Sequence, residues 1–423
     1  MKKILAMLLV FVMVFALVAC SGKKNATTTT GANSNNGATP EKPAEITLTV
    51  WAPQEDQSAE NPWLKTMADK FAAAHPEFKI TWKFGVCSEA DAKANVVKDP
   101  KAAANEFLYA NDQLEELLNN NALAAMPEGV LADVKKECSE GALLSVTGSD
   151  GKVYGVPYQA NTWFMYYNKD VFDAEDIKSL EKMLEKAPVA FPLNNGWYLP
   201  AFYFANGCTV YGATGTNSAD GFKMGGEAGT AVTKYLLDLV ANPNFRHDAN
   251  GSGHNDFKNG EVAAYFSGDW DLVANTEALG DKVGCAVLPT ITIDGQQKQM
   301  KAFNGSKAVG VNAYSDSVEQ LKAAYMFAAF IGGAEGQKAR FEARGTIPCA
   351  NSLESLRTSE AAKAVVAVVN GASCTQPSLP QSFWDGCSAL ANEMLNPETR
   401  FSKDDAAAKA DAFNKALAGE ATT

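Results

Sequence analysis

Along this chain apolar residues first crowd together, then vanish, then return at regular spacings. Ile4 to Ala19 is an unbroken run of sixteen apolar residues behind Lys2 and Lys3. A basic start and a short apolar stretch at the N-terminus read as an export signal rather than a spanning helix. From Ser21 to Ala44 no large apolar residue occurs. Such a segment cannot bury enough surface to offset its conformational entropy, so a flexible leash is expected. Apolar residues then come back in alternation at Ile46–Trp51, which predicts a strand. Trp63–Phe71 carries them at helical spacing, and Lys79–Phe84 reads as the next strand. Further on, the pattern predicts a helix at Asn111–Asn119 and strands at Lys152–Tyr158 and Trp163–Asn168. Amphipathic helices are expected at Gly229–Leu239, Leu321–Ile331 and Asp404–Leu417. Strands separated by helices imply parallel sheet with crossover helices, an α/β architecture.

Composition sharpens this picture at three points. Cys20 directly follows Leu17-Val18-Ala19 and resembles the acylated cysteine of a bacterial lipobox. Acyl chains there would hold the protein at the outer face of the cell membrane, at about 0.8 kcal/mol per buried methylene. The formal charge is −12, and −14 once Lys2 and Lys3 leave with the signal. With no basic patch interleaved with aromatics, nucleic acid is not an expected partner. Seven cysteines remain after Cys20, an odd and scattered set without a CxxC, which fits neither a disulfide framework nor a zinc site. Three histidines (His75, His247, His254) leave little material for a histidine-based catalytic or metal centre. His254 and Asp256 lie in a Gly/Ser/Asn-rich stretch that reads as a solvated loop. No phosphate-cradling loop, dinucleotide fingerprint or nucleophile elbow is present.

Four segments carry a resemblance. Gly151–Pro157 leads into Tyr167-Asn168-Lys169-Asp170, and Phe257–Trp270 includes Gly260, Ala263, Gly268 and Trp270 at characteristic spacing. Gly284–Pro289 and the weaker Leu379–Trp384 complete the set, in order, across about Ile46 to Leu417. Together they resemble the extracellular solute-binding proteins of ABC sugar importers, above all the maltose/maltodextrin-binding group. The resemblance implies a two-lobed, periplasmic-binding-protein-like α/β fold with an interlobe cleft and a hinge. It implies a signal at residues 1–19, a linker at 20–45, one lobe from 46–157 and 303–346, and the other from 158–302 and 347–423. It further implies a monomer that takes an oligosaccharide to ABC permease subunits, needs no cofactor or metal and touches the membrane only through its lipid.

Sugar recognition needs aromatic rings for the C–H faces of pyranoses and carboxylates or amides for their hydroxyls. Carried over position by position, the resemblance implies ligand contacts at Asp56, Gln57, Tyr109, Asp112, Asn161, Trp163, Asn195, Trp197, Trp270 and Trp384. Asn161 and Asn195 stand where the family has glutamates, and Gln113 where it has an arginine. Amides in place of charges suit a neutral oligosaccharide, with maltooligosaccharide first and a galactoside, xylo- or fructo-oligosaccharide second. A surface glycoside hydrolase is the other class; it would need two carboxylates flanking the scissile bond, and no recognisable hydrolytic motif supplies them. The expectation is a binding protein, not an enzyme.

Overall fold

A computed structural model describes residues 42–420, apart from 61, 214 and 216. The expected signal, the expected lipidation at Cys20 and the expected leash up to residue 41 lie outside the described residues. The chain runs through β1 (Ala44–Ala52), β2 (Phe78–Val86), β3 (Glu106–Ala110) and β4 (Val156–Asn161), then β5 (Phe164–Asn168) and β6 (Val189–Phe191). A small hairpin, β7 (Thr209–Val210) and β8 (Phe222–Lys223), precedes β9 (Phe245–His247), β10 (Ala264–Ser267) and β11 (Val283–Ala286). A second hairpin, β12 (Thr290–Ile293) and β13 (Gln296–Gln299), leads to β14 (Ala302–Val311) and the short β15 (Ser373–Thr375).

Two principal sheets result. The first has the order β15-β14-β3-β1-β2, with β4 also paired to β14; the second has the order β11-β5-β10-β6-β9. In the first, β1 is parallel to β2 and β3, and β14 returns antiparallel to β3 and β4. In the second, β6, β9 and β10 are parallel, while β5 runs against β10 and β11. Strand β1 shows why the period of two forms: Ile46, Leu48, Val50 and Ala52 are buried between less buried neighbours. The central β3 is buried at all five positions, as a strand covered on both faces must be.

Each sheet has its own core, and the two cores make two α/β lobes. Helices Trp63–Ala74 and Val318–Gly332 close the first, where Phe71 meets Phe327 edge-on at 5.2 Å. The second gathers Trp163, Phe191, Phe202, Phe266 and Phe303. The long strand β14 belongs to both, with Phe303 in the second core and Ala308 and Val311 in the first. The sequence places a lobe boundary at Pro157, which falls inside β4; that strand stays on the first sheet to Asn161, and β5 opens the second sheet at Phe164.

Two local expectations are corrected. Residues 152–155 form no strand, Val153 making only an isolated bridge to Thr147; the ladder begins at Val156. The stretch around His254 is the helix Ser252–Asn259, bracketed by left-handed Gly251 and Gly260. Asp248 accepts a hydrogen bond from the Gly253 amide at 2.9 Å, so an acidic cap upstream starts a helix that composition alone hides. All seven cysteines after Cys20 are free thiols. Among the described residues no helix is long and apolar enough to cross a membrane.

Candidate functional site

In both sheets the segments that follow the parallel strands turn toward one another, the place where open α/β sheets collect ligands. Ser88–Ala90 follow β2, and Asp112 and Gln113 follow β3. From the other sheet, Asn195 and Trp197 follow β6 and Trp270 follows β10. With Asn161, Lys307 and Trp384 these residues enclose a cavity of about 660 Å³, within the size range of small-molecule sites.

The second-lobe wall is aromatic. Trp197 and Trp270 lie stacked, centroids 6.0 Å apart and planes 28° apart. The Gly268-Asp269-Trp270 turn makes this possible because the Trp270 ring folds back over Gly268. A Cβ at 268 would sit 1.9 Å from that ring, so any larger residue there must push the indole aside. Trp197 Nε1 donates to Gln376 Oε1 at 2.8 Å, which sets the indole plane. Trp384 packs against Gly196, where an added Cβ would lie 3.1 Å from the ring.

The first-lobe wall is charged. Buried Glu89 accepts from the Tyr158 hydroxyl at 2.6 Å and from Arg340 at 3.1 Å, with Lys307 at 3.8 Å. Burial pushes its carboxyl up, but Lys307, Arg340 and the Tyr158 hydroxyl together outweigh burial and hold it far below the usual range. Arg340 is buried and also binds Asp56 through Nε and Nη2, at 3.0 and 2.8 Å, while Nη1 donates to Gln159 at 2.9 Å. Gln159 in turn donates to both oxygens of Asp269, at 3.0 and 2.8 Å, linking β4 to the turn after β10. Lys307 also lies 5.6 Å from the Trp270 ring centroid, a cation–π distance. Half-buried Asp112 has its carboxyl pushed up by burial, against its backbone hydrogen bond and Lys93.

Six of the ten residues singled out from the sequence meet around this cavity: Asp112, Asn161, Asn195, Trp197, Trp270 and Trp384. The other four do not line it. Tyr109 is wholly buried on β3, its ring wedged against Gly155 and Gly310, so it offers no face to a ligand. Trp163 is likewise buried, edge-on to Phe191 and Phe266. Asp56 is enclosed by Arg340 and Arg344. Gln57 spends its amide on the Ala52 and Gly85 carbonyls. Gln113 touches the cavity but works as a brace: its amide donates to Glu89 and Ala90 carbonyls and accepts from Lys93 N, each at 2.8 Å. Glu89, Lys93 and Lys307 were missed by the sequence reading. The position of Glu89, directly after a strand parallel to its neighbour, is the signal that could have found it.

Relatives share this architecture. Residues 66–367 match the profile of the bacterial extracellular solute-binding proteins. The maltooligosaccharide ABC transporter solute-binding lipoprotein of Streptococcus pneumoniae strain ATCC BAA-255 / R6 is 28% identical over 61% of this chain. The match spans just under two thirds of that relative's own length, 65%. The galactooligosaccharide-binding protein of Bacillus subtilis strain 168 is 26% identical over 66% of this chain and 72% of its own. A protein whose structure was solved with acarbose is 44% identical, covers 88% of this chain and 98% of its own, and superposes with a TM-score of 0.81. The maltodextrin-binding protein MalE1 from L. casei BL23, solved without ligand, is 26% identical over the same shares and scores 0.80. With its two lobes, the cleft between them and a family profile that covers most of the chain, this protein belongs to the bacterial extracellular solute-binding proteins.

Proposed function

We propose that this protein captures a neutral maltooligosaccharide in the cavity between its lobes and hands it to an ABC transporter permease. The observation that carries the reading is the Trp197–Trp270 stack, which faces a wall of hydrogen-bonding and charged groups across about 660 Å³. Rings take the apolar faces of pyranose units, and the opposite wall takes their hydroxyls. The charged groups largely satisfy one another: Glu89 with Arg340 and Lys307, Lys93 with Glu116 at 2.9 Å. A neutral ligand therefore meets a balanced wall rather than a field of one sign. The relatives named for maltooligosaccharide and the 44%-identical structure with acarbose support the same ligand class.

Under this reading the two lobes, divided after Asn161 rather than at Pro157, act as two bodies that close on the sugar. The short passages after Asn161 and within β14 serve as the hinge. Lipidation of Cys20 tethers the protein outside the cell membrane, and the protein is a monomeric binder without catalytic activity. The Bacillus subtilis relative favours one second reading, a galactooligosaccharide ligand. Calorimetry with maltotetraose and a galactotriose of equal purity tests both. Tight, 1:1 binding of maltotetraose with the sugar recovered intact is expected. Preference for the galactoside would shift the assignment to the second reading, and release of shorter sugars would overturn the binder.

A further inference from the structure

A second cavity, about 330 Å³, lies beside the first and shares Asn195, Tyr198 and Trp270 with it. It is therefore the same cleft continued past Trp270. Its far side is made by the helix Ser252–Asn259, the end of β10 and the segment after it, through His254, Ser267 and Asp271 respectively. Asp271 Oδ2 accepts from Ser267 Oγ at 2.6 Å and from the Tyr265 hydroxyl at 3.1 Å, and holds His254 Nδ1 at 2.9 Å. When Nδ1–H donates to that carboxylate, the neutral imidazole presents Nε2 as an acceptor. Nε2 has no hydrogen-bond partner among the described residues.

We infer that this cavity is a further subsite that seats one more sugar unit of the ligand, with His254 Nε2 accepting one of its hydroxyls. The inference rests on the oligosaccharide reading above and extends it to the length of chain being held. Other ligand classes suit the cavity less well. Asp248 and Asp271 repel an anion, and among the described residues no group of three His, Cys, Asp or Glu side chains could hold a metal ion. A purely apolar guest would leave His254 Nε2 facing it without a partner. A sugar unit carries hydroxyls that both donate and accept, and it can rest an apolar edge on Trp270, which is 45% exposed.

The test is an affinity ladder on the full chain, titrating maltose through maltoheptaose into wild type and His254→Ala. In wild type, affinity should step up when the added unit reaches past Trp270. His254→Ala should remove that step, about three- to tenfold, and leave the shorter sugars unchanged. A second readout guards against a folding defect: the His254 ring proton signal should shift with the long sugar and not with maltose. The same ladder in both proteins, or a His254 signal indifferent to every sugar that binds, would overturn the subsite while leaving the oligosaccharide reading standing. Failure of wild type to bind any maltodextrin would overturn both.

Discussion

On one side of the cleft Trp197, Trp270 and Trp384 stand partly exposed, held by glycines and a single hydrogen bond; on the other, Glu89 backs onto buried Asp56 and Arg340 in a closed web of charge. The aromatic wall spends little of the fold's stability and keeps its surface for the ligand. The charged wall does the reverse, since each ion is stable in the interior only while its partners remain. Loss of a residue should therefore be felt as affinity on one side and as stability on the other.

The largest effect should come from the charged wall. Asp56→Ala would leave Arg340 and Arg344 without their shared carboxylate, and breaking a buried pair on one side costs about 3–5 kcal/mol. Chemical denaturation should show the midpoint falling with the slope unchanged. A loss under about 1 kcal/mol would mean that Glu89 and solvent can take over the guanidinium, and the contrast between the walls would collapse.

Next in size is the aromatic wall. Trp270→Ala should weaken sugar binding by about 2–4 kcal/mol, the range of hot-spot aromatics, with little change in the melting temperature of the free protein. Gly268→Ala sharpens the point, because its Cβ occupies the place of the Trp270 ring and must displace it. It should lower affinity while leaving every aromatic in the sequence. If either variant unfolds the protein without changing affinity in the folded fraction, Trp270 is a core residue and both walls serve stability.

The two walls also differed in how well they could be read from the sequence. Gly268 and Trp270 are two residues apart, so their packing is local and leaves a spacing that can be recognised. Arg340 meets Asp56 and Glu89 from 284 and 251 positions away, and no local pattern announces such a pairing. Position-by-position transfer also failed in and between strands. Tyr109 sits inside β3, where a shift of one residue turns a side chain to the opposite face, and Trp163 sits in the short link between β4 and β5. Both rings ended in the cores, whereas Asp112, just past the end of β3, and Asn161, the last residue of β4, reached the cleft. The periodicities of β1 and of the helices Trp63–Ala74, Gly226–Ala241, Val318–Gly332 and Ala406–Leu417 were legible because each buries one face. The fully buried β3 and the helix Ser252–Asn259 left no such pattern.

The smallest effect separates two buried glutamates of the same lobe. Glu89 is held ionised by its partners, whereas Glu106, on β3, has neither oxygen hydrogen-bonded, and burial raises its carboxyl well above the ordinary 4.5. The signs are opposite. For Glu89 the folded state favours the ionised form, so its contribution is present above about 4.5 and is lost as pH falls below it. For Glu106 the folded state keeps a proton that the unfolded chain releases above 4.5, so stability declines as pH rises from there toward the raised folded value. Glu106→Gln cannot titrate. It should match wild type near pH 4 and exceed it at neutral pH by about 1 kcal/mol, the low end for relieving an unpartnered buried group. Sugar affinity should not change, because Glu106 lies at the start of β3, away from the cleft end of that strand. Denaturation midpoints at pH 4, 6 and 8 decide it. Parallel curves for the two proteins would mean that Glu106 finds a partner in solution, and that the charged wall is not the only place in this lobe where a carboxylate is held.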